Sequence, residues 1–342
     1  MTEFNRRIVL ASRPAGRPKP SNFRVEDAAV PEPCDGQVLL QTIYLSLDPY
    51  MRGRMSDAKS YADPIEIGGV MVGATVAKVS QSRHPHWKEG DIVVAYSGWQ
   101  SHAVSDGSDL RRIDPAVAPI STGLGVLGMT GFTAYAGLRN IAHPGPGETV
   151  VVAAAGGAVG SVVGQIAKIE GARAVGIAGG PDKCAFVKHE FGFDAVVDHR
   201  DPDFPQRLAD ACPDGIDVYF ENVGGHVWDA VLPLLNNFAR VPLCGMISHY
   251  NDDASSTPAF DRLPGSMRDI QRKSITVRGF MNVEFIEQQP EFLKSAAGWI
   301  ADGRLTWRED LVDGLENAPE AFIGLLEGRN FGKLVVKVFS EQ

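Results

Sequence analysis

Val151 to Lys168 read VVAAAGGAVGSVVGQIAK, an apolar run that gives way to alanine and glycine. Ala155, Gly157 and Gly160 stand at the spacing of the dinucleotide fingerprint G-x-G-x-x-G, with alanine in the first place. That spacing serves phosphate chemistry. Gly157 lets the backbone approach a pyrophosphate, and Gly160 lets helix and strand pack closely. The unpaired N–H groups of the helix start then face the anion. Glycines so spaced also mark ordinary tight turns, so the elements around them have to decide.

About 20 residues further on, an NAD site carries an acid for the ribose 2′-OH. Here the chain reads Ala178-Gly179-Gly180, with Lys183 following. No carboxylate stands there to repel a 2′-phosphate, and a lysine suits a phosphate carrying about −1.5 to −2 charges. His199 and Arg200 end the next apolar run and add donors. The expected cofactor is NADP(H), not NAD(H).

These residues need a strand before them and a helix behind. TVVVAAA (149–155) has the apolar density of a buried strand, and residues 159–170 have the apolar face of a helix. ARAVGIAG (172–179), AVVDH (195–199), IDVYFENV (216–223) and FARVPLCGMI (238–247) read as further strands. PDKCAFVKHEFG and HVWDAVLPLLN (226–236) read as helices between them. That alternation implies βαβ units and a parallel sheet. NDDASSTPAFDRLPGS (251–266) reads as a loop between two strands. Residues 1–125 differ, with short β-type runs such as QVLLQTIYLSL and DIVVAYSGW between turn signals. Residues 303–342 return to that style and are expected to fold back on the first region. The expected fold is α/β, a Rossmann doubly wound parallel sheet over 126–302 plus a mostly β domain.

A length of 342 residues suggests about two domains. Asp and Glu number 42 against 33 Lys and Arg, and a net charge of −9 disfavours nucleic acid and anionic membranes as partners. No apolar run approaches the ~20 residues of a membrane span. MTEFNRRIVLASRPAG has no long apolar core, so no signal peptide is expected, and the expected location is the cytoplasm. Cys34, Cys184, Cys212 and Cys244 are far apart with no CxxC pair, which argues for free thiols.

Several long strings carry a family resemblance. LSLDPYMRGRMSD (45–57), GVLGMTGFTAYAGL (125–138), YFENVGG (219–225), CGMISHYN (244–251) and NFGKLVV (330–336) join the glycine turn. Together they resemble the zinc-independent medium-chain dehydrogenase/reductases, in the branch of leukotriene/prostaglandin reductases, plant double-bond reductases and bacterial curcumin reductases. The resemblance implies a GroES-like first domain, a Rossmann domain for NADPH, a homodimer, and reduction of an α,β-unsaturated carbonyl at its carbon–carbon double bond. Curcumin or dihydrocurcumin is the substrate type it names. It also places Met129 and Thr133 by the nicotinamide, Gly157, Ala158 and Val159 at the pyrophosphate, and Lys183 at the 2′-phosphate. Asn222, Cys244, Gly245, Ile247, Ser248, Tyr250, Phe280, Met281, Asn282 and Asn330 would line the remaining groove. His199 stands where mammalian relatives have tyrosine, and its pull on phosphate should weaken above about pH 6.5.

A catalytic zinc needs three protein ligands from Cys, His or carboxylate. Zinc-dependent relatives place a Cys where this chain has Ser46-Leu47-Asp48-Pro49, and Gly-His-Glu where it has Gly68-Gly69-Val70, so no metal is expected. Without a Lewis acid, conjugate reduction of an enone is less demanding than alcohol oxidation. Its enolate needs only hydrogen-bond donors, each worth roughly 3–4 kcal/mol when preorganised. Tyr250, after the last strand before the loop, is the leading candidate, and Tyr50 the second. A phenol near pKa 10 donates at neutral pH; the α-carbon proton is left open between Tyr250 and water. Arg52 would anchor the site, and Tyr61, Met246 and Met281 would line an apolar substrate cleft with Tyr50 and Tyr250. A quinone reductase and a non-turning-over NADPH-binding module remain as alternatives.

Overall fold

β-branched and apolar residues in close succession, as in VLLQTIYLS, favour an extended chain covered on both faces. The computed structural model describes residues 4–252 and 262–341. It divides into two compact units: Met1–Gly125, Tyr250–Asp253 and Glu309–Gln342 form one, Val126–His249 and Ala254–Arg308 the other.

In the first unit β1 (Phe4–Leu10) and β2 (Phe23–Ala29) make an antiparallel ribbon. A second sheet is built on β3 (Val38–Ser46), where every residue but Gln41 is buried. β3 pairs antiparallel with β4 (Thr75–Ser82), which pairs with β5 (Ile92–Ala95). β6 (His102–Ser105) lies on β3, and β7 (Arg111–Arg112) closes the edge at β5. Trp99 fills the core beneath, stacked on Phe23 at 5.8 Å and met edge-on by Phe322 at 5.7 Å.

The second unit is a parallel sheet of β8 (Thr149–Ala153), β9 (Arg173–Ala178), β10 (Ala195–Asp198), β11 (Ile216–Phe220), β12 (Leu235–Leu243) and β13 (Thr276–Gly279). Their spatial order is β10-β9-β8-β11-β12-β13. From β8 the chain fills one side and then crosses to β11 on the other. Strand order therefore reverses at the carboxyl ends of β8 and β11, where ligands bind in open α/β sheets. All of β8 is buried, as a doubly covered parallel strand requires. The chain returns to the first unit with β14 (Glu309–Asp313) and β15 (Lys333–Lys337), and β15 runs antiparallel to β3.

Three local readings need correction. The helix expected over 226–236 spans Gly225–Val231, continues as a 3₁₀ turn Leu232–Leu234, and β12 starts at Leu235. Pro233 explains the early stop of the α-helix, since it has no N–H to donate to the preceding turn, although Leu232 before it keeps a helical φ of −51° and ψ of −44°. Cys244 to Met246 lie past the end of β12, and Ile247–His249 is a 3₁₀ turn. The proposed loop 251–266 runs largely outside the described residues, but its end belongs to a helix, Leu263–Arg272, with Pro264 in the first turn.

Candidate active site

The turn after β8 is set by backbone sterics. Ala154 takes a left-handed φ of 54°, and the Gly157 N–H donates to its carbonyl at 2.8 Å. A Cβ on Gly160 would lie 2.3 Å from that same oxygen, so the first residue of helix Gly160–Ile169 can carry no side chain. At Gly157 the distance would be 3.1 Å, a tight contact that leaves the turn's outer face bare. At the helix start the Ser161 and Val162 N–H groups already donate to the Gly157 and Val159 carbonyls at 3.0 and 3.1 Å, so what the turn offers an anion is its bare backbone around Gly157. This cradle fits a pyrophosphate.

The corner after β9 is cationic. Gly180 has φ 93°, and its N–H and that of Arg200 both donate to Asp198 Oδ1 at 2.9 Å. Backbone donors thus occupy the local carboxylate. A Cβ on Gly179 would lie 2.8 Å from His199 Nε2 and 2.9 Å from Arg200 Nε, so both side chains lean over bare backbone. Lys183, on helix Pro181–His189, adds its charge to His199. Burial first, then the neighbouring His226 and Arg200, hold the His199 imidazole below its ordinary range.

Glu221, absent from the sequence-derived set, shapes the ENVGG turn. Its Oε1 accepts from Tyr219 Oη at 3.0 Å, Val223 N at 2.6 Å and Gly224 N at 2.9 Å. Burial nevertheless raises its pKa. Asn222 Nδ2 donates to the Ala153 carbonyl at 2.9 Å, tying this turn to the end of β8. The Cys244 and Gly245 N–H groups donate to Glu221 O, Ile247 N to Asn222 O, and Ser248 N to Val223 O. The fold therefore brings Asn222 and residues 244–248 together. Burial pushes the Cys244 thiol up to about 12, so it presents a neutral thiol.

Met129, Thr133 and Asn282 form a third group. Asn282 Nδ2 donates to Thr133 Oγ1 at 3.1 Å, and Thr133 Oγ1 to Met129 O at 2.7 Å. Phe280 packs edge-on against Phe220 at 6.1 Å and fills the space a Cβ on Gly137 would need. Met246 and Met281 are exposed. Ala158 and Val159 lie in the turn that leads into the Gly160 helix.

The remaining predicted residues lie in the first unit. Lys333 Nζ donates to Asp48 Oδ1 at 2.5 Å and to Leu47 O at 3.0 Å, and both charged side chains are only 4% exposed. Ser46 Oγ also donates to Asp48. Two residues beyond Asp48 comes Tyr50, half-buried; burial first, then the Asp48 charge, raises its phenol pKa. Tyr96 and Tyr61 also act on it. Tyr96 was legible only as part of the run DIVVAYSGW. Tyr61 is 61% exposed. Arg52 is buried, donating from Nη2 to Gly16 O at 2.8 Å and from Nε to Asn251 Oδ1 at 3.3 Å. That bond brings the segment carrying Tyr250 to the segment carrying Tyr50. Asn330 Nδ2 donates to Gly332 O at 2.9 Å. Among the described residues no group of three His, Cys, Asp or Glu side chains could hold a metal ion, and the Asp48 carboxylate faces an ammonium.

Two family models match, one described as the N-terminal domain of oxidoreductase over residues 6–113 and one as zinc-binding dehydrogenase over 158–298. The NADPH-dependent curcumin reductase of Escherichia coli (strain K12) is 53% identical, covering 98% of this chain and 97% of that protein. The 2-alkenal reductase (NADP(+)-dependent) of Nicotiana tabacum is 38% identical over 98% of each chain. CurA of Vibrio vulnificus, solved in complex with NADPH, superposes with a TM-score of 0.94 at 53% identity, covering 98% of this chain and 99% of that one. The Escherichia coli quinone oxidoreductase, at 19% identity and a TM-score of 0.78, shares the fold. With such identity along nearly its whole length, the chain belongs to the medium-chain dehydrogenase/reductases, in the branch of the leukotriene/prostaglandin and double-bond reductases.

Proposed function

We propose that this protein is an NADPH-dependent reductase of the carbon–carbon double bond of α,β-unsaturated ketones and aldehydes, curcumin-type enones among them. The observation that carries the reading is the corner at Gly179, where His199 and Arg200 lie over bare backbone beside Lys183, a setting for a 2′-phosphate. The likeness to reductases named for curcumin and alkenals supports the substrate class.

NADPH, held at the Gly157 turn and the Gly179 corner, would supply the hydride for the β-carbon. The chain's own residues then handle the charge that moves to the carbonyl oxygen. The Tyr50 phenol, its pKa raised by burial and by Asp48, stays a donor throughout the neutral range. Tyr250 is the leading donor to that oxygen, its segment held by the Arg52–Asn251 bond. The α-carbon takes its proton from Tyr250 or water, giving the saturated carbonyl. Tyr61, Met246 and Met281 are each exposed apolar side chains, of the type suited to flat conjugated substrates. We also assign a homodimer: β13 is an exposed edge strand, with exposed Val277 and Val283 nearby. A monomeric mass in solution would remove that assignment.

The test is NADPH consumption over a panel of enones, aldehydes and quinones with products identified. Saturated ketones and aldehydes are expected. Allylic alcohols, or turnover confined to quinones, would overturn the reading.

A further inference from the structure

His199 Nδ1 lies 3.2 Å from Nε2 of His226, on helix Gly225–Val231, with ring centroids 5.3 Å apart. The other nitrogen of His199, Nε2, is the atom that leans over Gly179. Lys183, Arg200 and Asp198 are the charged groups acting on His199 besides His226, and Phe204 packs edge-on against His226. A neutral imidazole has one donor and one acceptor nitrogen. If His226 donates from Nε2 to His199 Nδ1, His199 must carry its proton on Nε2, aimed at the Gly179 corner. If the bond runs the other way, His199 turns a lone pair towards that corner. A phosphate oxygen only accepts, so it selects the first arrangement.

We infer that His226 is a positioning residue for NADPH discrimination, fixing the tautomer and ring orientation of His199 so that an uncharged histidine still donates to the 2′-phosphate. Histidines that serve a ligand from one ring nitrogen are commonly set by what the other nitrogen meets. The relay works above the titration range of His199, where a lone histidine would rely on chance orientation. It rests on placing the 2′-phosphate at the Gly179 corner, and is independent of which substrate is reduced.

The test is equilibrium binding of NADPH and NADH to the full chain at pH 6 and pH 8. His226→Phe, which keeps a ring but has no donor, should weaken NADPH by roughly 3–10-fold at pH 8, the range of one neutral hydrogen bond, and leave NADH within about twofold. At pH 6 a bound 2′-phosphate favours the charged ring, and a charged His199 donates from both nitrogens, so the loss should be smaller than at pH 8. His226→Gln, which restores a donor, should bind NADPH more tightly than His226→Phe at pH 8. Unchanged NADPH affinity in His226→Phe, an equal loss for NADH, a loss that is constant with pH, or no rescue by Gln would each overturn the relay. Wild-type protein with NADPH at pH 8 should show ¹⁵N shifts of a His199 protonated at Nε2 alone; protonation at Nδ1 would overturn it without any variant. A wild type that does not prefer NADPH over NADH would remove the 2′-phosphate placement, and the relay with it.

Discussion

Lys333→Met removes one half of a buried ion pair and should unfold the ground beneath Tyr50 and Arg52. Asp48 would keep Ser46 as a donor and lose the ammonium 2.5 Å away, while the Leu47 carbonyl would lose its 3.0 Å contact. Both side chains are 4% exposed, so water cannot replace the lost partner without opening the core. Breaking such a pair from one side costs about 3–5 kcal/mol, because an unpaired charge stays buried. For a unit of this size that corresponds to a melting point lower by roughly 6–20 °C. Asp48→Asn alone should cost a similar amount, stranding the lysine. Lys333→Met with Asp48→Asn should recover much of the loss, because neither charge remains. The assay is a thermal melt of the three variants, with NADPH turnover measured well below each melt. If the double variant melts as low as the sum of the singles, the two residues do not act as a pair. If Lys333→Met melts with the wild type, the burial argument itself is wrong.

Lys183→Ala should raise the Michaelis constant for NADPH much more than for NADH, and equal effects would remove its phosphate role. Tyr250→Phe should lower turnover on an enone while NADPH still binds; wild-type turnover would end its assignment. Prolonged treatment with a chelator should leave activity unchanged, and a loss restored by zinc would refute a metal-free site. His199 has a folded pKa below its unfolded value near 6.5, so the unfolded chain binds the proton more readily and the free protein should lose stability as pH falls through that region. A bound 2′-phosphate favours the charged ring, so NADPH should raise the melting temperature more at pH 6 than at pH 8, a difference NADH should lack.

What could be read ahead of the fold was contiguous in sequence. The strand, turn and helix around Gly157 and Gly160 lie within one short run, and the clash between a Gly160 side chain and the Ala154 carbonyl is a local event. The missing acid after β9 was legible for the same reason. By contrast, His226 pairs with His199 only because the helix after β11 is brought to the end of β10, although β9 and β8 lie between those strands in the sheet. Lys333 and Asp48 are 285 residues apart and meet because β15 is laid against β3. Periodicity marks each of those strands but not which neighbour each will take, so no spacing rule could have joined the partners. Even at Pro233 the helical pattern of HVWDAVLPLLN runs on, whereas the missing N–H ends the α-helix at Val231 and leaves a 3₁₀ turn. Backbone sterics within a few residues make the turn, and the pyrophosphate proposed to meet it is common to both dinucleotides. We place the choice between them on His199, Arg200 and Lys183, whose arrangement depends on sheet order, so cofactor preference should be easier to shift by mutation than cofactor binding.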